Sequence, residues 1–117
     1  MILIVDDDPL LGRLVEACLD FEGARVEAVH SLAAARPELR PSLSHVVLDR
    51  HLPDGDGLDL LPDLTRCCPD VPVVVFSAVD DAAEPPGVAR VDKSDIATLV
   101  EMIGLRASRT DLPRPTS

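Results

Sequence analysis

Four apolar runs in this sequence stop on residues that can do chemistry. Met1-Ile2-Leu3-Ile4-Val5 runs into Asp6-Asp7-Asp8, and His45-Val46-Val47-Leu48 runs into Asp49. Val71 to Phe76 stops at Ser77, and Val88 to Val91 stops just before Lys93. Neighbouring carboxylates repel, and burying each one costs several kcal/mol unless a positive partner is present. Three carboxylates and some waters suit a small hard cation such as Mg²⁺, which takes few protein ligands in octahedral oxygen geometry. A carboxylate can also attack phosphorus and become an acyl phosphate. The charge crowded together in that reaction must be cancelled, by a metal or an ammonium. These residues propose Asp49 as phosphoacceptor, Asp6 and Asp7 as holders of the metal, Lys93 as counter-ion, and Ser77 as a hydroxyl that senses a phosphoryl oxygen. Taken on the first run alone, a plainer reading stands beside it: Asp6 and Asp7 begin a solvated loop, and Asp8 caps the next helix.

The elements that must position these groups alternate between two periods. Residues 1–6 read as a strand buried on both faces. Asp8-Pro9 reads as an N-cap followed by proline at the first helical position. Leu10, Leu11, Leu14, Val15, Cys18 and Leu19 then repeat at helical spacing until Gly23. Arg25 to Val29 is a shorter strand, expected near an edge. Ser31 caps a short helix through Ala35, where Pro37 intrudes, and Pro41 ends that segment. A loop over 49–57 leads to a helix from about Leu58 to Cys67, with Pro62 predicting a late or kinked start. Residues 78–87 are loop-like. Ser94 is expected to cap a last helix carrying Ile96, Leu99, Val100 and Ile103, closed by Gly104. Residues 106–117 read as a flexible tail or the start of a linker, leaving a domain over 1–105.

Strands alternating with helices imply a parallel sheet with right-handed crossovers. In an open α/β sheet the strand C-termini gather on one edge, where ligands bind. Asp6, Asp7, Asp49, Ser77 and Lys93 all fall there, so four separate segments converge on one place.

Composition narrows the partners. A chain of 117 residues with 46 % hydrophobic content supports one domain with one core. Aromatics are 2 %, so that core is aliphatic. The formal net charge of −10 disfavours direct nucleic-acid binding and an anionic membrane surface. Cys18, Cys67 and Cys68 form neither a disulfide framework nor a zinc spacing. No apolar run reaches spanning length and no cleavable leader is visible, so a reducing cytoplasm is expected.

Over residues 1 to about 105 the chain resembles the receiver domains of two-component response regulators. ILIVDDDPLL resembles their acidic-pair segment, with Asp6 and Asp7 at the paired positions. VVLDRHLPDGDGLDLL resembles their phosphoacceptor motif, with Asp49, Leu52-Pro53 and Gly57 in register. VVVFSA and VDK resemble the hydroxyl and lysine segments. The resemblance implies a flavodoxin-like α/β fold, a doubly wound five-stranded parallel sheet of order 2-1-3-4-5. It implies phosphotransfer to Asp49 from a histidine kinase or phosphotransfer protein, and the backbone carbonyl of His51 as a further Mg²⁺ ligand. It also implies a signalling domain that promotes its own phosphorylation and dephosphorylation rather than an enzyme, acting on a downstream effector and open to homodimer formation.

Three departures from that pattern stand out. The stretch from Ser77 to Lys93 has two consecutive prolines and no apolar stripe, so the family's fourth helix is expected to be absent or reduced to a turn. Arg90 stands where an aromatic switch residue is usual. Ser94 follows the lysine where a cis proline is usual, and a cis non-proline bond costs about 2.5–4 kcal/mol. A floppy 78–87 segment that orders on phosphorylation, with Arg90 as a charged switch, would be an unusual output. Among single residues, His51 is expected to face solvent unless it tunes the phosphoryl pocket. His30 and His45 read as surface or strand-end residues. Asp56 reads as a cap of the third helix and Asp54 as solvated rather than as extra cation ligands, and the Cys67-Cys68 pair, which could be redox-active, reads as inert at a helix end. Two rival functions remain in view: a receiver-like module that binds proteins without phosphorylation, and an aspartyl phosphohydrolase. The second is disfavoured because His51 occupies the position where such enzymes carry their general acid.

Overall fold

A computed structural model of the chain describes residues 1–20, 25–77 and 88–102, the side chains of 18–20 excepted. Five strands form one parallel sheet: β1 (Ile2–Val5), β2 (Val26–Val29), β3 (His45–Leu48), β4 (Val73–Ser77) and β5 (Ala89–Asp92), in the order β2-β1-β3-β4-β5. The expected flavodoxin-like order is therefore the observed one. β1 and β3 sit inside the sheet, and all four residues of each are buried. That is why both read as unbroken apolar runs rather than as alternating ones. β2, at one edge, is only partly buried, matching its mixed sequence.

The period of two along β1 divides the core. Leu3 and Val5 pack on one face with Leu32, Leu43, Val46, Leu48, Leu60 and Leu64. Ile2 and Ile4 pack on the other with Val15, Val47, Val74, Phe76, Val91 and Leu99. Each buried aliphatic side chain contributes about 1.5–3 kcal/mol relative to exposure. A one-residue slip of β1 would swap the two sets, so the register of the strand, and with it the position of Asp6, is tightly held.

The helices are short. α1 (Pro9–Asp20) begins where the Asp8 Oδ1 accepts the Leu10 N–H at 2.9 Å, the expected cap. α2 (Leu32–Ala35) is capped by Ser31, whose hydroxyl accepts the Ala34 N–H at 3.1 Å, and it tightens into a 3₁₀ turn over Arg36–Glu38 at Pro37. The late start expected from Pro62 is present. A 3₁₀ turn over Gly57–Leu60 precedes α3 (Leu61–Cys67), with Pro62 in its first turn. Strand limits shift by one or two residues from the sequence expectation at β1, β2, β4 and β5.

Several expectations need correcting. The last helix, described over 96–102, is capped by Asp95 and not by Ser94. Asp95 Oδ1 and Oδ2 accept from the Thr98 amide and hydroxyl, while Ser94 turns back on Asp92. A carboxylate one residue later meets the free amides of the first turn, and the serine is used by the preceding turn. Leu10 and Leu14 share the helical spacing of the core residues but are 68 % and 50 % exposed. Among the described side chains of that pattern only Val15 is fully buried, with Leu11 half-buried. His45 does stand at a strand end, as expected, and is buried there: it opens β3, paired in register with Ile2. The peptide after Lys93 is trans, as serine there favours. The expectations for the fourth-helix segment 78–87, for Gly23 and for the Ile103-Gly104 helix end lie outside the described residues. So do the 106–117 tail and the side chain of Cys18.

Candidate functional site

The carboxyl ends of β1, β3, β4 and β5 bring the expected groups together. Asp49 continues β3, its N–H donating to the Val5 carbonyl at 2.8 Å, and is 2 % exposed. Asp6 continues β1, its N–H donating to the Val29 carbonyl at 3.0 Å, and is 3 % exposed. Lys93 follows β5, and its amide donates to the Ser77 carbonyl at 3.0 Å. The backbone ladder thus runs one residue past the apolar strands and fixes each chemical group by its own main chain.

Side-chain geometry completes the cluster. Lys93 Nζ donates to Asp49 Oδ2 at 2.9 Å and lies 3.1 Å from Asp6 Oδ2. Asp49 Oδ1 accepts the His51 N–H at 3.1 Å, and Asp6 Oδ1 accepts the Asp8 N–H at 2.9 Å. Asp7 is exposed beside them, and one carboxylate oxygen from each of Asp6, Asp7 and Asp49 falls within 4.8 Å of the others. Ser77 is fully buried at the end of β4.

The electrostatics are unbalanced. Among the described residues three carboxylates face one ammonium, an excess of two negative charges. Burial raises the Asp6 carboxyl above its ordinary value, helped by the Asp49 charge and opposed by the Asp8 amide and Lys93. Burial also pushes the Lys93 ammonium down, but its hydrogen bond to Asp49 and the adjacent Asp6 carboxylate outweigh this and leave it raised. Asp6 Oδ2 is buried and meets Lys93 without the alignment of a hydrogen bond. This donor set is all oxygen, doubly negative in excess and partly open through Asp7, and it fits a divalent hard cation.

The loop after β3 holds the acceptor in place by means that motif spacing alone does not express. A Cβ on Gly57 would lie 2.1 Å from the Asp49 carbonyl oxygen, so only glycine allows the helix start to pass this close. Gly55, at φ 148°, closes a tight turn in which Leu52 and Gly55 exchange backbone bonds. Asp56 caps the 3₁₀ turn through the Leu58 N–H at 3.0 Å, as expected for a capping residue. It also pairs with Arg50 at 2.9 Å. Burial raises its carboxyl, but the Arg50 and Leu58 bonds bring it below the ordinary value.

Asp54 is not merely solvated. Its carboxylate accepts the Leu32 and Ala33 amides at 2.8 and 3.0 Å, which holds its pKa down. It therefore caps α2 from 22 residues away. His30 is exposed just past the end of β2, as expected, and its Nδ1 meets the Asp6 carbonyl at 2.9 Å. Neither contact follows from local sequence: Asp54 needs the β2–α2 turn beside the acceptor loop, and His30 needs β2 paired with β1. Arg50 is a further residue at the site, paired with Asp56 of its own loop. With Asp7, His51, Leu52, Pro53, Gly55 and Asp56 it lines a cleft of about 460 Å³ that opens onto the cluster. His51 itself is exposed, as expected.

Comparison with known proteins agrees with this geometry. The family described as "Response regulator receiver domain" matches residues 2–98. The probable transcriptional regulatory protein TcrX of Mycobacterium tuberculosis is 40 % identical over 83 residues, 68 % of this chain and 34 % of that protein. The KDP operon transcriptional regulatory protein KdpE of Escherichia coli is 35 % identical over 86 residues, 71 % of this chain and 37 % of that protein. This chain thus spans little more than a third of the length of either relative. The non-phosphorylated HemR receiver domain from Leptospira biflexa superposes with a TM-score of 0.78 at 28 % identity, covering 99 % of this chain and 98 % of that one.

Proposed function

Because this chain belongs to the response regulator receiver domain family, we propose that Asp49 is the residue through which it takes up a phosphoryl group in a two-component pathway. The donor is a histidine kinase or phosphotransfer protein in the cytoplasm, and the output goes to an effector protein or domain. Residues 1–105 make up this receiver, and 106–117 a tail or linker. The observation that carries the assignment is the buried Asp49 carboxylate, held 2.9 Å from Lys93 and clustered with Asp6 and Asp7 at the strand ends.

Asp6, Asp7, Asp49 and the backbone carbonyl of His51 would hold Mg²⁺. When bound, the ion neutralises the excess carboxylate charge and the oxygens of an incoming phosphoryl group. The chain's own residues do the rest. The His51 N–H and Lys93 Nζ hold the two oxygens of Asp49, which orients the carboxylate for in-line attack on phosphorus. As the new P–O bond forms, the bond from phosphorus to the donor nitrogen breaks. Lys93 then shifts its ammonium from the carboxylate to a phosphoryl oxygen, where negative charge accumulates. The Ser77 hydroxyl, at the end of the neighbouring strand, donates to another and so reads the phosphorylated state.

Intact-mass measurement after incubation with acetyl phosphate and Mg²⁺ tests this. A single phosphoryl adduct is expected on the wild type and none on Asp49→Ala. Absence of an adduct on both would replace the reading with that of a phosphorylation-independent binding module.

A further inference from the structure

The other end of α3 carries chemistry that phosphotransfer does not use. Cys67, the last residue of α3, is half-buried, and Cys68, its C-cap, is 6 % exposed. Neighbouring residues on a regular helix point to different sides. Here Cys68 leaves the helical conformation, at φ −143° and ψ 68°, and its thiol turns back to lie 2.9 Å from the Cys67 sulfur.

The two sulfurs sit between two openings. Cys67 lines a cleft of about 370 Å³ with Arg36, Leu39, Asp63 and Arg66. Both cysteines line a second cleft of about 250 Å³ that includes Leu43, Ser44 and Pro69. In the first cleft Arg36 and Arg66 share one carboxylate, that of Asp63, which leaves one positive charge in excess. Cys67 is the more exposed of the two thiols and lines both clefts, so a small solute reaches it first.

We propose that Cys67 and Cys68 are a thiol-modification site, oxidised by a hydroperoxide to a disulfide between adjacent residues. The roles follow from the surroundings. The Cys67 thiolate attacks one oxygen of hydrogen peroxide: an S–O bond forms, the O–O bond breaks, and the other oxygen leaves as hydroxide, protonated to water. The Cys68 sulfur then attacks the Cys67 sulfur: the S–S bond forms, the S–O bond breaks, and the departing oxygen takes the Cys68 proton and leaves as a second water. Two thiols give up two electrons and two protons, and one peroxide becomes two waters. Cys68 cannot lead, because burial, with the neighbouring Cys67 thiol, pushes its own thiol up to about 11 and keeps it protonated. It acts only once the sulfenic acid of Cys67 is in contact with it.

The product is reversible for a geometric reason. Adjacent Cα atoms across a trans peptide are about 3.8 Å apart. Disulfides ordinarily span about 4.4–6.8 Å between Cα atoms, and strained ones are the readily reduced ones. Closing the ring also conflicts with two bonds of the helix end: Cys68 N–H to the Leu64 carbonyl at 2.7 Å, and Val71 N–H to the Cys68 carbonyl at 3.1 Å.

The full chain, treated with hydrogen peroxide and read by intact mass and peptide mapping, decides the matter. The expected product has lost two hydrogens, both from the peptide holding residues 67 and 68, and dithiothreitol restores it. Cys68→Ala, or Cys68→Ser should the first fold poorly, stops at a sulfenic acid that dimedone traps on Cys67. Cys67→Ser gives neither product. The proposal is overturned if the bridge involves Cys18 or a second chain. It is overturned equally if dimedone finds Cys68 first, or if both thiols stay reduced at peroxide levels that oxidise free cysteine.

Discussion

The two edges of the sheet are built on opposite plans. At the carboxyl edge the strands run one residue into charge: Asp6 and Asp49 are almost wholly buried, and Lys93 bridges them. At the amino edge the same strands begin beside partly exposed charges, Arg40 pairing with Glu27 of β2, and beside neutral groups. Ser44 donates its amide and its hydroxyl to the Met1 carbonyl at 2.8 and 3.1 Å, His45 is buried in β3, and Cys68 closes α3. Among the described residues the first edge holds negative charge in excess and is completed by something positive; at the second, Arg40 is paired with Glu27 and Glu38. Stability and function are therefore set against each other at one edge and not at the other.

Substitutions at the carboxyl edge should be costly and should change phosphorylation. The largest effect is expected for Gly57→Ala. Its new Cβ would meet the Asp49 carbonyl at 2.1 Å, and overpacking against a backbone atom costs about 3 kcal/mol. Urea denaturation should register that loss, and the acetyl phosphate adduct should vanish with it. An unchanged midpoint would mean the helix start moves freely, and the contrast between the edges would weaken.

Lys93→Met comes next. It leaves the buried carboxylates with no cation, which should cost about 2–3 kcal/mol without divalent ions, less than a fully buried unpaired charge because Asp7 is exposed to water. Millimolar Mg²⁺ should return most of it. Failure of Mg²⁺ to raise the melting temperature of this variant would remove the cation from the account.

Asp6→Asn should act in the opposite direction. Removing one of three crowded carboxylates should stabilise the metal-free protein by about 1 kcal/mol and abolish the gain on adding Mg²⁺. The pH dependence supplies the sign. Asp6 holds its proton more tightly when folded than its ordinary value of 3.8. The folded state then binds more protons, and wild-type stability falls as pH rises from 3.8 through the raised value. Asp6→Asn should lack that fall. A wild-type curve that instead rises more steeply than the variant's across this window would contradict the burial argument.

The smallest effect is expected at the amino edge. Ser44→Ala removes one hydroxyl bond to the Met1 carbonyl, while the Ser44 amide still satisfies that oxygen, so about 0.5 kcal/mol is at stake. The rate of phosphorylation by acetyl phosphate should not change. A slowed rate would show that the two edges are coupled through β1 and β3.

Much of this was readable in the sequence, for identifiable reasons. β1 and β3 are buried on both faces, so apart from His45 at the start of β3 their residues are apolar, and their ends are marked by Asp6 and Asp49. Asp8 and Asp56 cap helices that start within two residues of them, and local spacing is enough to see that. Ser94 was the wrong cap by one residue, because both Ser94 and Asp95 suit the position and only the turn after β5 decides between them. Leu10 and Leu14 had the spacing of core residues, but spacing does not say how wide a stripe of α1 the sheet covers.

What the sequence determined by itself is the order of elements and the identity of the reactive groups, since both follow from short-range pattern: period, capping, and the residue that ends each apolar run. What only the tertiary structure decided is which groups meet across distance. Lys93 lies 44 residues from Asp49 and bonds to it, Asp54 reaches back to cap α2, and His30 meets the carbonyl of Asp6. Parallel pairing of β1, β3, β4 and β5 brings these segments to one edge, and the excess of carboxylate over ammonium exists only once they are there. The thiol pair repeats the point at the other edge. The sequence places Cys67 beside Cys68, but it is the backbone turn at the end of α3 that brings their sulfurs together.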